Sequence, residues 1–341
     1  MEIGLNIRHH NGADWASIRD GVKLAEHVGF SVVCFPDHYF PNERIIAGAR
    51  PTSGTASSAS PNRGPTWTDD ETAADIASPT GPSDCWTLIA SLVPQTANIR
   101  FATMMTSATF RMPGPLAVAV AQINRFSEGR VDMGIGANWH EGEHSAFAIP
   151  YPSRRTRFDL LEEYLAVVCR LWDSPAAERF DFDGTFFALR GGSGIPRPER
   201  IDRPRIIIGG SGLTRTPRIA GRFADECNTL AKTPKLAERF FAACARQFEL
   251  AGRDPAGMRR SHLLNTVCAV DEADLRRQVR AAGLDGPEQL QPGRVSSPAQ
   301  LIDRLQAWEA AGLDRVVLTG IGSVDLQSIE MLGELVVPEF S

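Results

Sequence analysis
Three absences narrow the field before any motif is considered. No apolar run in the 341 residues reaches the ~18 that a membrane-crossing helix needs, and the N-terminus, MEIGLNIRHHNGADW, lacks the basic patch and apolar core of a secretory leader. The expectation is a protein that neither spans a membrane nor is exported. Cysteine is sparse: Cys34, Cys85, Cys169, Cys227, Cys244 and Cys268 lie scattered in apolar segments without C-x-x-C spacing, which reads as buried reduced thiols in a cytoplasmic protein. A basic excess is missing too. The 36 Lys and Arg stand against 41 Asp and Glu, net −5, with no basic block, so neither nucleic acid nor an anionic membrane is an expected partner and small molecules are. Internal repeats and domain linkers are also absent.

What is present is an alternation. Short apolar runs (3–7, 31–35, 99–105, 131–136, 205–210, 224–230, 263–270, 315–321) exchange with amphipathic stretches (14–28, 85–96, 115–126, 154–172, 215–222, 235–251, 272–282, 298–311, 325–335). About eight β/α units favour a closed (β/α)8 TIM barrel over an open sheet, as one domain over 1–341. A bare barrel takes ~250 residues, so insertions are expected. Residues 45–84, rich in Ser, Thr, Gly, Pro and Ala, read as a long loop, either a substrate lid or plain surface. The second insertion, 173–204, holds RFDFDGTFFAL, two alternating runs about Asp183-Gly184 that predict a hairpin. In a TIM barrel, functional groups should lie just after the strands.

HEGEH (140–144) matches the H-E-x-x-H zinc signature, in which two histidines one helical turn apart bind the metal and the glutamate activates water. Asn138 with Glu141 three residues on reads as a helix cap. A third ligand is not evident: Phe147 and Pro150 stand where the longer zinc pattern needs Gly and His, and Glu162 and Glu163 belong to an exposed charged face. A zinc hydrolase through His140, Glu141 and His144 is therefore the minor reading, and no metal is expected. The major one has His140 and Glu141 lining a pocket after the fourth strand.

The order of several motifs resembles a known group. GRVDMGIGANWHEGEHSAFAIPYPSRRTRFDLLEEYLAVVCRLW (129–172), CFPDHYFP (34–41), TSATFRMPGPLAVAVAQINRFSEGR (106–130) and PRIIIGGSGLTRTPRIAGRFADECN (204–228) are similar to segments of the bacterial luciferase-like superfamily, nearest its branch that uses the deazaflavin coenzyme F420. The resemblance implies a TIM-barrel F420-dependent oxidoreductase passing a hydride to or from an organic substrate, with FMN-dependent monooxygenase as the alternative. It also implies a homodimer and a separate enzyme that regenerates reduced cofactor.

Residue chemistry fits parts of this. Gly209, Gly210, Ser211 and Gly212 form a glycine-rich turn entering a helix, where unpaired N–H groups and the helix dipole suit a phosphate; Thr214 and Arg215 could add donors. A plain strand-to-helix turn is the bland alternative. His38, titrating near neutrality, is the best-suited general acid, and the resemblance puts Asp37 beside the cofactor ring. The resemblance further implies that Thr103, Met104 and Met105 back the ring, with a cis Met104–Met105 bond, and that Ala137, Asn138 and Trp139 contact the cofactor. Where relatives place a carboxylic acid, this sequence reads Asn-Trp-His-Glu, leaving the proton donor open among His38, His140 and Glu141. Asn6 and Asn228 are polar residues inside apolar strands, lining the pocket or satisfied in the core.

Overall fold
A computed structural model describes residues 1–39, 83–196, 201–291, 293–322 and 324–340. Most of the 45–84 loop lies outside these. Eight parallel strands form the centre: β1 (Glu2–Asn6), β2 (Val32–Phe35), β3 (Arg100–Thr103), β4 (Val131–Gly136), β5 (Ile206–Gly210), β6 (Glu226–Thr229), β7 (Arg259–Asn265) and β8 (Arg315–Thr319). Each pairs with its sequence neighbour, and β8 returns to β1 through Gly4↔Val317, so the sheet closes as the (β/α)8 barrel expected.

Side chains alternate along each strand, and this sets two cores. Val32, Cys34, Ala102, Met104, Ile207 and Val317 fill the inside of the barrel. Val33, Phe35, Phe101, Met133, Ile206 and Val316 point outward against the helices. Below the inner layer lies an ionic floor: the guanidinium of Arg315, fully buried, reaches Glu226 on β6 at 2.9 Å and Glu2 on β1 at 3.0 Å.

The surrounding helices are α1 (Trp15–His27), α2 (Cys85–Leu92), α3 (Pro113–Phe126), α4 (Glu141–Ala146), α5 (Arg154–Asp173), α6 (Arg215–Phe223), α7 (Pro234–Leu250), α8 (Glu272–Ala281), α9 (Pro298–Ala310) and α10 (Leu326–Leu335). Their starts carry legible signals. Asp14, Asp84, Ser153, Thr233, Asp271, Ser297 and Asp325 each accept a first-turn N–H, and Ser297 with Gln300 completes a capping box. No helix among the described residues is long and apolar enough to cross a membrane.

Two expectations shift in detail. The seventh strand starts at Arg259 rather than Leu263, because its polar first half is satisfied inside the fold: Ser261 takes a 2.9 Å hydrogen bond from Asn228, and His262 stacks on Trp308 at 4.1 Å. The second insertion does form an antiparallel hairpin, Arg179–Asp183 with Ala188–Ser193. Its turn is held from outside, since one carboxylate, Glu163, accepts the N–H groups of Thr185, Phe186 and Phe187.

Candidate active site
A cavity of about 710 Å3 opens at the C-terminal ends of the strands, within the range of small-molecule sites. Every barrel strand contributes to it: Asn6 from β1, His38 after β2, Met104 and Met105 after β3, Asn138 after β4, Gly209 and Gly210 from β5, Asn228 from β6, Asn265 from β7 and Thr319 from β8.

The wall at β3 is shaped by close backbone packing. The Met104–Met105 peptide is cis. A Cβ at Gly134 would collide with the Thr103 carbonyl, so the wall packs there only against bare glycine backbone, and Gly209 leaves room for the Met105 side-chain end. Thr103 itself is fully buried and donates to the Gly134 carbonyl at 2.8 Å; its side chain supports the wall without lining the cavity.

The β5 side is built for an anion. Gly209, Gly210, Ser211, Gly212, Thr214 and Arg215 all line the cavity, and Thr214 caps α6 without a side-chain hydrogen bond, leaving the N–H groups of Arg215 and Thr216 without a capping side chain. Arg215 packs over Phe158 at 5.2 Å and is paired with Asp159. Arg154, at the start of α5, lines the same end and was not singled out from sequence.

His38 stands on the other side, beside β1 and β4. Its Nδ1 lies 2.8 Å from Glu143 Oε2, and the other Glu143 oxygen accepts the Tyr39 N–H at 2.6 Å. His140 Nδ1 approaches the same Oε2 at 3.1 Å. Burial opposes protonation of His38, but the charge and hydrogen bond of Glu143, with the charge of Asp37, outweigh it and raise its pKa above the ordinary 6.5. Burial likewise opposes ionisation of Glu143, yet His38 and His140 hold it well below the usual carboxylate range. His10, its ring 5.6 Å from that of His38, is kept neutral by burial and by the neighbouring positive groups. Trp139, exposed, sets its edge against His38 at 5.6 Å.

Several residues fall elsewhere than the sequence suggests. Glu141 is exposed and outside the cavity; it opens α4 on the solvent side, and Glu143, two residues and about 200° further round the helix, takes the interior position. His140 is also absent from the cavity lining, being the N-cap of α4 with its ring turned toward Glu143, and Asn138, at φ +61°, forms an Asx turn by accepting the His140 N–H at 2.5 Å instead of capping the helix. Asp37 is buried off the cavity, accepting two N–H bonds from Arg111 and one from the Thr106 hydroxyl.

HEGEH does not assemble as a zinc pair. His144 turns inward, where its nitrogens meet the His140 carbonyl at 2.8 Å and Thr109 Oγ1 at 2.7 Å. Glu162 pairs with Arg218 and Arg222, and Glu163 holds the hairpin turn. The group that gathers instead is His38, His140 and Glu143, with ligand-type atoms within 4.8 Å of one another. Glu143 lies between the two imidazoles, hydrogen-bonded to His38 at 2.8 Å and 3.1 Å from His140 Nδ1, which accounts for that spacing.

A family model described as luciferase-like monooxygenase matches residues 1–292. This chain belongs to the luciferase-like family. Among curated relatives of this luciferase-like protein, the F420-dependent hydroxymycolic acid dehydrogenase of Mycobacterium tuberculosis is 28% identical over 240 residues, covering 69% of this chain and 64% of the relative. The F420-dependent glucose-6-phosphate dehydrogenase of Microbacterium testaceum is 30% identical over 168 residues, covering 48% of each. The chain thus spans less than two thirds of the curated relatives it matches. In fold, it resembles an F420-dependent secondary alcohol dehydrogenase solved with an F420-acetone adduct, with a TM-score of 0.75 at 19% identity, covering 100% of this chain and 99% of the other.

Proposed function
We propose that this luciferase-like protein is an F420-dependent oxidoreductase, working as a reductase on a C=C or C=N bond of a specialised metabolite. One observation carries the reading: a single cavity joins an anion cradle at β5 to an imidazole with a raised pKa across the barrel, past the bare wall at Met105. The residues fit such a cofactor. First-turn N–H groups of α6 with Arg154 and Arg215 would hold the phosphate, while Met104 and Met105 would back the planar ring. When bound, the deazaflavin supplies a hydride to one carbon of the substrate.

The chain's own task is the proton. His38, whose protonated form is favoured by ionised Glu143, gives it to the atom next to the carbon that receives the hydride, so both electrons and both hydrogens are accounted for. His140 shares Glu143 and, with Trp139, packs around the His38 ring. A separate enzyme re-reduces the cofactor between turnovers.

The family model's own description favours a second reading, an FMN-dependent monooxygenase fed by a partner reductase. Anaerobic mixing with reduced F420 and a panel of unsaturated acceptors, beside aerobic mixing with reduced FMN, separates the two. Recovery of the oxidised deazaflavin absorbance on adding an acceptor supports the proposal. Oxygen uptake with reduced FMN, and no reaction of reduced F420, selects the monooxygenase.

A further inference from the structure
Arg8 follows β1 and lines the cavity with 7% of its surface exposed. Its Nη2 donates to Asn265 Oδ1 at 3.0 Å, while Nη1 has no hydrogen-bond partner. No carboxylate pairs with it among the described residues, and the charge that acts on it, Arg294, has the same sign. Burial first, then Arg294, lowers its pKa to about 10, which leaves the guanidinium charged at neutral pH. The other deeply buried arginines differ: Arg315 has Glu226 and Glu2, and Arg157 donates to two backbone carbonyls and lies 3.9 Å over the Tyr151 ring. A buried charge without a partner is strongly unfavourable unless an occupant of the site supplies one.

Other groups on this side of the cavity are also unpartnered: the Asn6 side-chain oxygen and the Thr319 hydroxyl. Arg8 acts electrostatically on both His38 and His10, so an anion held there sits beside the proposed proton donor. With Nη2 engaged by Asn265, the guanidinium keeps Nη1 open and carries a single positive charge, which suits a planar, singly charged carboxylate.

We infer that Arg8, with Thr319, anchors a carboxylate of the substrate, which makes the substrate an unsaturated or oxo acid whose reducible bond lies near its carboxylate. The inference rests on the hydride-transfer reading above, with the carboxylate a spectator: in an unsaturated acid the β-carbon takes the hydride and the α-carbon the proton of His38, and in a 2-oxo acid the carbonyl carbon takes the hydride and its oxygen the proton.

The test uses thermal unfolding and binding of the full chain, with and without oxidised F420, against crotonate and 2-oxobutanoate and their primary amides. The acids raise Tm in wild type and the amides do not. Arg8→Gln weakens acid binding by about tenfold or more, Arg8→Lys retains part of it, and F420 affinity stays within about twofold. Equal response to acids and amides, or an undiminished acid response in Arg8→Gln, overturns the assignment. So does a tenfold loss of F420 binding in Arg8→Gln, which would make the cofactor the source of the anion. Should Arg8→Gln not fold, Arg8→Lys and the wild-type comparison of acid with amide still decide. Failure of wild type to bind F420 would refute the hydride-transfer reading alone, because the acid response is also read in cofactor-free protein.

Discussion
A free imidazole titrates near 6.5, and the pKa of His38 lies above this because a buried, ionised Glu143 lies 2.8 Å from its Nδ1. The sign follows directly. With its folded pKa raised, the stabilising pair is fully present below the unfolded pKa of His, about 6.5, and is lost as pH rises through the higher folded value. Reductase activity that needs protonated His38 should fall over that same upper range. In Glu143→Gln the fall should move to lower pH, read from kcat/KM against pH. His38→Asn should lower kcat by ~10²-fold with F420 affinity nearly unchanged, measured by steady-state kinetics and fluorescence titration. Glu141→Gln should leave the pH profile in place, since Glu141 faces solvent. Sequence pointed to His38 and His140 because both follow barrel strands. It pointed to Glu141 rather than Glu143 because the H-E-x-x-H match drew attention to the wrong carboxylate, and the helical phase that turns Glu143 inward depends on where α4 begins.

At the scale of elements, loops are fixed by single side chains reaching across them. Glu163 on α5 accepts three N–H groups of the hairpin turn, so Glu163→Ala should lower stability by about 1–3 kcal/mol and speed hydrogen exchange at 185–187. Removing the carboxylate without either change would contradict this role. Gly134 is fixed by the neighbouring strand: a side chain there meets the Thr103 carbonyl, so Gly134→Val should cost about 1–3 kcal/mol in urea unfolding and weaken cofactor binding by displacing the Met104–Met105 wall. Hydrophobic periodicity made most elements legible, whereas the one cap read from sequence, Asn138 with Glu141, is an Asx turn ahead of α4. The polar half of β7 was not legible, because the partners that satisfy Ser261 and His262 come from β6 and α9 and are distant in sequence. The glycine-rich turn at 209–212 could be read directly, since its chemistry is that of the backbone.

For the whole molecule, the barrel separates stability at its floor from chemistry at its mouth. Arg315 joins β1, β6 and β8 through Glu2 and Glu226, and Arg315→Leu should cost about 3–5 kcal/mol by stranding a buried carboxylate, with little effect on cofactor affinity once folded. Closure of the barrel was legible from the count of β/α units, whereas this floor was not, because charged residues at strand starts read as solvent-exposed until the opposite strands are in place. As proposed, the mouth of the barrel is shaped for F420. Titrating the protein with oxidised F420 and with FMN, side by side and followed by cofactor fluorescence, tests it most directly: the account predicts saturable binding of F420, tighter than FMN, while binding of FMN alone, or of neither, would contradict it.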